Sequence, residues 1–420
     1  MRTLNRRLLA EQVSHPAIRI VVTTMLLAGI QSLFAVLSSR WLGPEQRGVF
    51  TIAAVLATFS LLIGSLGVFT GGRVLLARLN AGISWQEYWF VIVAITGLQV
   101  GIAAIVNVPA WWILAGGTAR HLGPTLSFFA YCLFITAASL AREGLHGVGR
   151  HVRAVLSDIL AAGIKLSTAL ILVILGQVTV TALLLAGSFG FAVQLMMCWR
   201  TTPLESVVKS VRLPSFRMVK RVVEFSLPSV FLSIGQMFIQ KGDRLILGSF
   251  TSPGEVGIYA AGATLADAAW ILPVSVSVVV LRQVATKGDL QPLKKWRRAI
   301  LLTTTLAALI LAVASAPLIH ILLGAEYNQS IHIVWILCGG SILFASQQVD
   351  IAACNGLGRL DVGAKTSILG AGVLLLSSIL LIPRFGGTGA AYASILAYAS
   401  MAVFVRFTTR LIEHRAPLIG

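Results

Sequence analysis

Three charged residues stand close together inside an apolar stretch of the sequence. Lys241, Asp243 and Arg244 interrupt the run at 225–248, and a Ser-Pro-Gly turn at 252–254 separates it from a second apolar run at 257–281. A charge within a bilayer is costly unless it is paired or faces a water-filled cavity. These residue types therefore predict that Arg244 is a gate or an anion ligand and that Asp243 is a coupling group, or else that both belong to structural ion pairs.

Two further charges lie deep in apolar runs. Lys165 is about 11 residues into the run at 154–175, which places it about 16 Å deep and near the middle of a bilayer. It is a candidate to bind an anionic substrate, or a structural partner for a carboxylate such as Asp158 or Asp267. Asp267, about 10 residues into its own run, is a candidate coupling site for a proton or cation. Alternatively it is a counter-charge for Lys165 or Arg244.

Other polar side chains have two interpretations each. Arg19 is an interfacial anchor or a second anion ligand. Lys241 is a candidate to bind the substrate, or it reaches water from one end of its run. Gln31, Gln236 and Gln240 line a cleft wall if their helices form one, or else make hydrogen bonds between helices.

Composition indicates a membrane protein. Of 420 residues, 57% are apolar and 11% are charged, whereas about a quarter of an average soluble domain is charged. The net charge of +18 is spread in short clusters between apolar runs, so nucleic acid is not an expected partner. No P-loop is present, the four cysteines show no ligand spacing and the seven histidines are scattered. The sequence therefore predicts neither cofactor nor metal.

Twelve apolar runs are each long enough to span a membrane, which takes about 20 residues. If the N-terminus is cytoplasmic, 25 of the 33 Lys and Arg residues fall on the cytoplasmic side, including three at the N-terminus, and four, among them Arg47, fall in short outward loops. This asymmetry predicts that both termini are cytoplasmic, and the N-terminal run is predicted to be an uncleaved helix. The predicted spans are 17–39, 49–70, 88–114, 124–141, 154–175, 178–199, 225–248, 257–281, 300–322, 331–349, 363–383 and 388–409.

The chain contains an internal repeat. An ungapped shift of 209 residues aligns Gly48-Val-Phe with Gly257-Ile-Tyr, and Gly147-Val-Gly-Arg with Gly356-Leu-Gly-Arg. The fold is therefore predicted to be all-α, with twelve transmembrane helices in two pseudo-symmetric six-helix lobes around a central cleft. The predicted lobes are residues 1–199 and 223–420, and a basic cytoplasmic linker occupies 200–222.

Four features of the sequence match the pattern of one known family. An Asp-Arg near the end of one run is followed by Leu-Gly and by a Gly-x-Tyr that opens the next run, and two Gly-x-Gly-Arg turns precede the fifth and eleventh runs. The other two are Arg40-Trp-Leu-Gly-Pro-Glu-Gln-Arg-Gly48 and Pro383-Arg-Phe-Gly-Gly-Thr-Gly-Ala-Ala391. Together these stretches resemble segments of the bacterial oligosaccharide flippases, which belong to the multidrug/oligosaccharidyl-lipid/polysaccharide exporter superfamily.

The resemblance implies a protein that is not an enzyme. It implies a flippase that moves a polyprenyl-diphosphate-linked glycan from the inner to the outer leaflet by alternating access. The product would be O-antigen, capsule or exopolysaccharide, and the location the bacterial inner (plasma) membrane. Its expected partners are the lipid-linked glycan, membrane lipids and the polysaccharide polymerase machinery.

Three alternatives stay open at this point. The first is a drug/cation antiporter of the same superfamily, whose cavities favour acidic and aromatic residues. The second is a flippase for the peptidoglycan lipid precursor, many members of which carry two additional helices. The third is a membrane enzyme of the same pathway, which would be expected to carry a large outward loop, and this sequence shows none.

Overall fold

The computed structural model describes residues 2–77, 85–200, 216–287 and 293–415. Over these ranges the chain is built of helices joined by short turns, and no β-strand occurs within them. Most of the predicted basic linker, at 201–215, lies outside the described residues. The same holds for the side chain of Arg19, although its backbone is helical.

The first half of the chain begins with a long helix that is divided by a kink. Gly43 has a φ of 69° inside this helix, a backbone conformation that glycine adopts readily. The two arms on either side of Gly43 correspond to the first two predicted spans. The second predicted span, 49–70, does not run unbroken, because the helix ends at Gly64 and a new one begins at Val68. The helices are α1 (Arg2–Gly64), α2 (Val68–Ala77), α3 (Trp85–Ile102), α4 (Val108–Ala115), α5 (Leu122–Gly147), α6 (His151–Ile174) and α7 (Val180–Arg200).

The second half has the same plan with different interruptions. The eighth predicted span, 257–281, is broken by a short 3₁₀ segment at Asp267–Trp270. The last two predicted spans are the two arms of one helix with a kink at Gly386, where φ is 54°. The helices are α8 (Phe216–Ser226), α9 (Pro228–Phe250), α10 (Pro253–Ala266), α11 (Ile271–Lys287), α12 (Leu293–Leu318), α13 (Gln329–Gly356) and α14 (Leu360–Arg415).

Helix lengths fit repeated crossing of a membrane. Within the described ranges, eight helical stretches are long and apolar enough to cross a bilayer. Two of them, Met25–Gly64 with 40 residues and Asp361–Ile412 with 52 residues, contain the kinks at Gly43 and Gly386. Each is long enough for two crossings of about 20 residues.

The chain divides into two compact units. The first consists of residues 1–41, 56–112 and 116–231, and the second of residues 42–55, 113–115 and 232–420. The core of the first unit contains Tyr88, Trp89 and Leu140, and that of the second contains Val280, Ile300 and Val349. The predicted lobe and linker boundaries stay a prediction.

The predicted repeat is visible in the backbone. Gly149 and Gly358, which are 209 residues apart, have φ angles of 77° and 78°. A Cβ on Gly147 would meet residues 73–76, and a Cβ on its counterpart Gly356 would meet residues 281–285. Lipid offers little hydrophobic drive for helix association, so small residues that permit close approach largely determine packing. Equivalent glycines thus make equivalent helix contacts in each half.

Another pair of repeat-related glycines packs together inside the second unit. A Cβ on Gly48 would collide with the carbonyl oxygen of Pro253, and a Cβ on Gly257 would collide with that of Pro44. Each hypothetical Cβ would also lie 2.9–3.0 Å from the backbone nitrogen of the other glycine. The sequence alignment matched these two positions, and the structure shows that they touch.

Candidate functional site

Residues of α9 and of the segment that follows α10 surround one small pocket in the second unit. Gln240, Asp243, Arg244 and Asp267 all line it, and its free space is about that of one water molecule. The side chains that complete its wall are Tyr259, Trp270, Leu337, Ser341 and Tyr398.

Asp243 is held by hydrogen bonds from three directions. The Tyr259 hydroxyl donates to one carboxylate oxygen, and the Ser394 hydroxyl lies 3.4 Å from the same oxygen. The backbone N–H of Arg244 donates to the other oxygen at 2.8 Å. Because Asp243 is 4% exposed, these donors replace the water that a buried carboxylate loses.

Arg244 and Asp267 form an ion pair across the pocket. Arg244 Nη2 lies 3.4 Å from Asp267 Oδ2. The Arg244 side chain is 7% exposed and that of Asp267 is 38% exposed. Adjacent residues on a helix face different directions, and accordingly Asp243 contacts Tyr259 while Arg244 contacts Asp267. The structure thus brings together three of the charges that the sequence singled out, and their roles in function stay predictions.

Asp267 occupies a break in the eighth span. It is the first residue of the 3₁₀ segment between α10 and α11. A stretch of 3₁₀ geometry inside a longer helix often marks a hinge, and interrupted helices build the substrate and ion sites of many transporters. The sequence placed Asp267 at mid-depth in a continuous helix and did not detect this interruption.

Aromatic residues form a wall of this pocket that sequence reasoning missed. Trp270 stacks on Phe344 with a centroid distance of 4.1 Å, and Tyr398 meets both rings edge-on. The Trp270 indole N–H donates to Ser341 Oγ at 3.0 Å. Trp270, Phe344 and Tyr398 lie far apart in sequence, so no local pattern could have indicated their contact.

Arg47 is a second residue that the sequence misplaced. We expected it in a short outward loop, but it lies on the helical arm after Gly43 and is 7% exposed. Its guanidinium is 5.6 Å from the centroid of the Phe50 ring, a distance typical of a cation–π contact. The second helical arm begins directly after the non-helical residue Gly43, so the chain turns there without the loop that we predicted.

Lys165 lies in the first unit, on α6. Its ammonium nitrogen is 4.0 Å from the centroid of the Phe34 ring, within the range of a cation–π interaction. The side chain is half-buried. Such a contact holds the ammonium group in place and leaves its charge intact, as binding of an anion requires.

Asp158 belongs to a separate polar network in the first unit. Its carboxylate lies 3.3 Å from Arg142 Nη1 and accepts a hydrogen bond from Gln194 at 2.7 Å. Arg142 also pairs with Glu143 at 2.8 Å. A structural role in joining α5, α6 and α7 accounts for these contacts.

Of the other predicted residues, Gln240 and Lys241 lie near the charges of the Arg244 pocket, and Gln31 and Gln236 do not line it. Gln31 and Gln236 are exposed, and Lys241 is half-buried on α9. Gln240 is exposed as well as lining the pocket of Arg244.

A known protein family matches much of the chain. The model of the family described as "Polysaccharide biosynthesis protein" matches residues 16–281. The probable low-salt glycan biosynthesis flippase Agl15 of Haloferax volcanii is 23% identical over 398 residues, covering 92% of this chain and 81% of that protein. An uncharacterized membrane protein of Methanocaldococcus jannaschii is 31% identical over 116 residues, which is 27% of this chain and 23% of the relative's length.

Solved structures share the fold. The lipid II flippase MurJ in an inward closed conformation superposes with a TM-score of 0.71 at 13% identity, covering 94% of this chain and 87% of that one. An inward-facing MATE multidrug transporter has a TM-score of 0.68 at 13% identity, with coverages of 95% and 99%. The predicted all-α fold of a multi-pass membrane protein is confirmed, and so is the predicted family resemblance.

Proposed function

We propose a function from one premise: this chain belongs to the polysaccharide biosynthesis protein family. It moves a polyprenyl-diphosphate-linked oligosaccharide from the inner to the outer leaflet by alternating access, for assembly of O-antigen, capsule or exopolysaccharide. The observation that carries the proposal is the alignment of 92% of the chain with a relative named a probable glycan biosynthesis flippase.

The chemistry of such a substrate explains why a protein is needed. A diphosphate and many sugar hydroxyls would lose their hydration in the bilayer core, at a cost of about 2–7 kcal/mol for each uncompensated polar group. A polar passage through the protein keeps the headgroup solvated, while the polyprenyl tail stays in the lipid.

Two cations are proposed to meet the diphosphate. Lys165 presents an ammonium group over the Phe34 ring, and Arg244 presents a guanidinium that Asp267 orients. Arg19, Lys241, Gln31 and Gln240 are proposed to complete the path. Asp267 is then the proposed coupling group, because neutralising it by a proton or replacing it by substrate would release Arg244.

The orientation follows from the distribution of basic residues. We place the chain in the plasma membrane with both termini in the cytoplasm. Residues 1–199 and 223–420 are the two lobes that we propose exchange access between the two sides.

The decisive test is the fate of the lipid-linked glycan in a deletion strain. We expect surface polysaccharide to be lost, while intact lipid-linked intermediate accumulates on the cytoplasmic side, and both defects to be reversed by the wild-type gene. Unchanged surface polysaccharide in the deletion strain would refute the proposal.

A second candidate is export of an organic cation. The pocket of the second unit combines Asp243 and Asp267 with the rings of Trp270 and Tyr398, and carboxylates with aromatic faces suit a cationic ligand. The fold is also that of a multidrug transporter. Under this alternative the deletion strain keeps its surface polysaccharide and becomes more sensitive to cationic drugs.

A further inference from the structure

A basic cavity lies within the second unit, apart from the pocket of Arg244. It has a volume of about 630 Å³ and is bordered by α12, α13 and α14. This volume is within the roughly 300–1,000 Å³ typical of ligand sites. Four cationic side chains and one carboxylate line it, namely Lys294, Arg297, Arg298, Arg406 and Asp350.

Asp350 organises the inner end of this cavity. It is 2% exposed, and one of its oxygens contacts both Nε and Nη2 of Arg297. Its other oxygen lies 3.9 Å from Arg406 Nη1. One carboxylate thus positions two guanidinium groups from different helices, and the cluster keeps a net positive charge.

The outer end of the cavity carries additional positive charge. Lys294 and Arg298 are exposed on the first turns of α12, and the Arg406 side chain is 37% exposed. Guanidinium groups present a fork of donors that matches the oxygens of a phosphate group. The cavity therefore has a buried, paired cation at its base and exposed cations at its mouth.

The fold itself does not require these charges. Under the 209-residue shift, Arg297, Arg298 and Asp350 correspond to Tyr88, Trp89 and Ala141. In the first unit the Tyr88 hydroxyl donates to the Leu140 carbonyl at 3.0 Å, and Trp89 packs edge-on against Trp199 at 4.9 Å. The first half thus fills the equivalent place with packed aromatic residues, so the polar cluster of the second half calls for its own explanation.

Apolar side chains continue outward from the cavity. On α12, Leu302, Leu306 and Val313 are 59–75% exposed, and they follow a helical period along one face. On α14, Val403 lines the cavity and is 70% exposed, and Phe407 one turn later is 65% exposed. In a membrane these faces suit contact with acyl chains.

We propose that this cavity binds the phosphate headgroup of an anionic membrane lipid, whose acyl chains lie along the exposed apolar faces of α12 and α14. Arg297 and Arg406 bind the phosphate oxygens, and Lys294 and Arg298 attract the headgroup at the mouth. Basic pockets between transmembrane helices on the cytoplasmic side are known sites of this kind. None of the residues that line this cavity is among those proposed for the transport path, and the test below does not depend on transport.

The test is lipid binding to the purified, delipidated protein in detergent. Phosphatidylglycerol, phosphatidylcholine and inorganic phosphate are titrated separately, and bound lipid is counted by native mass spectrometry while the melting temperature is recorded. The informative variant is Lys294→Gln with Arg298→Gln, since both side chains are exposed and the buried Arg297–Asp350 pair stays intact. The matched control is Lys220→Gln with Arg221→Gln, which removes two exposed cations elsewhere.

We expect saturable binding of phosphatidylglycerol in preference to phosphatidylcholine. The Lys294/Arg298 variant should bind roughly 30-fold more weakly, because each cation near an anionic lipid contributes about a factor of five. The control should change affinity by less than about twofold, since its charges are outside the cavity.

Three results would overturn the proposal. If both double variants bind phosphatidylglycerol equally weakly, the attraction is a general electrostatic one. If the Lys294/Arg298 variant binds phosphatidylglycerol as tightly as the wild type, these two cations do not take part in binding. Stabilisation by inorganic phosphate with no effect of phosphatidylglycerol would assign the cavity to a free anion. Since no result depends on transport, the outcome is independent of the deletion-strain test.

Discussion

The two halves of the chain share their backbone plan and differ in where they carry charge. Gly149 and Gly358 adopt the same left-handed conformation, whereas Tyr88 and Ala141 stand where the second half has Arg297 and Asp350. The shared glycines are those that the left-handed backbone of the turn requires, and the differing residues are candidates for binding a ligand. Comparing the two halves therefore distinguishes residues that maintain the fold from residues that are candidates for binding a ligand.

A similar difference occurs around the candidate site. Phe34, whose ring lies under Lys165, corresponds to Asp243 in the second half, and Phe50 corresponds to Tyr259. Lys165 itself corresponds to the buried Leu374. One half thus holds a cation on an aromatic face and the other pairs a guanidinium with the Asp267 carboxylate, so the two cations are fixed by different interactions.

The largest expected effect comes from removing Asp350, whose counterpart in the first half is Ala141. Asp350→Ala should lower the free energy of unfolding by about 3–5 kcal/mol, because it leaves the buried Arg297 guanidinium without its counter-charge. Chemical denaturation in micelles measures the loss. Arg297→Tyr combined with Asp350→Ala, which supplies the first half's residues, should recover most of it. A double variant as unstable as the single one would show that the halves are not interchangeable here.

The glycine contact should be nearly as sensitive. Gly48→Ala places a Cβ against the Pro253 carbonyl oxygen, and because backbone atoms must move, we expect a loss of about 3 kcal/mol. Gly101→Ala is the matched control, since a Cβ there meets nothing within 4 Å. The measurement is the melting temperature of each variant. Equal melting temperatures for Gly48→Ala and Gly101→Ala would argue against the close contact at Gly48.

Neutralising Asp267 should have a smaller effect on stability and a clear effect on transport. Asp267→Asn removes one of the two carboxylates near Arg244, and because Asp267 is partly exposed the loss should be about 1–2 kcal/mol. We expect transport in proteoliposomes to lose its dependence on ion gradients. Asp361→Asn, at an exposed carboxylate on α14, is the control. Retention of the full dependence in Asp267→Asn would count against coupling at this residue.

Lys165→Ala should abolish export, while stability falls by about 1 kcal/mol through loss of the contact with Phe34. The variant should still reach the membrane, as cell fractionation can verify. Phe34→Leu tests the aromatic contact alone and should reduce export only partly, because the charge remains. Near-normal export by Lys165→Ala would remove this residue from the site.

The smallest effect is expected at an exposed ion pair of the first unit. Lys220 and Glu224 lie 3.7 Å apart with both side chains about two-thirds exposed, so Glu224→Gln should cost less than about 0.5 kcal/mol. Comparison of Glu224→Gln with Asp350→Ala measures how strongly burial changes the contribution of an ion pair to the free energy of unfolding. A loss comparable to that of Asp350→Ala would contradict this explanation.

Much of the fold was readable from the sequence because the bilayer imposes length and composition on every span. The twelve apolar runs fall on helices, and the repeat found from Gly147 and Gly356 reappears in their matching contacts. Interruptions were harder to predict, since the break at Asp267 leaves the apolar pattern unchanged. The predicted position of Arg47 was wrong for a related reason. The chain turns at the single residue Gly43, and such a turn needs no loop.

The sequence by itself determined that the chain crosses the membrane repeatedly, that its halves are related, and that Lys165, Asp243, Arg244 and Asp267 need partners. The bilayer requires each span to be apolar and each buried charge to be paired or hydrated. The relation between the halves is read directly from matching residues. Tertiary structure decided which partners they find: Tyr259 for Asp243, Asp267 for Arg244 and the Phe34 ring for Lys165. It also decided that Arg297, Asp350 and Arg406 meet in one cavity. These contacts join side chains of different helices, and only the packing of whole helices sets which side chains come within reach of one another.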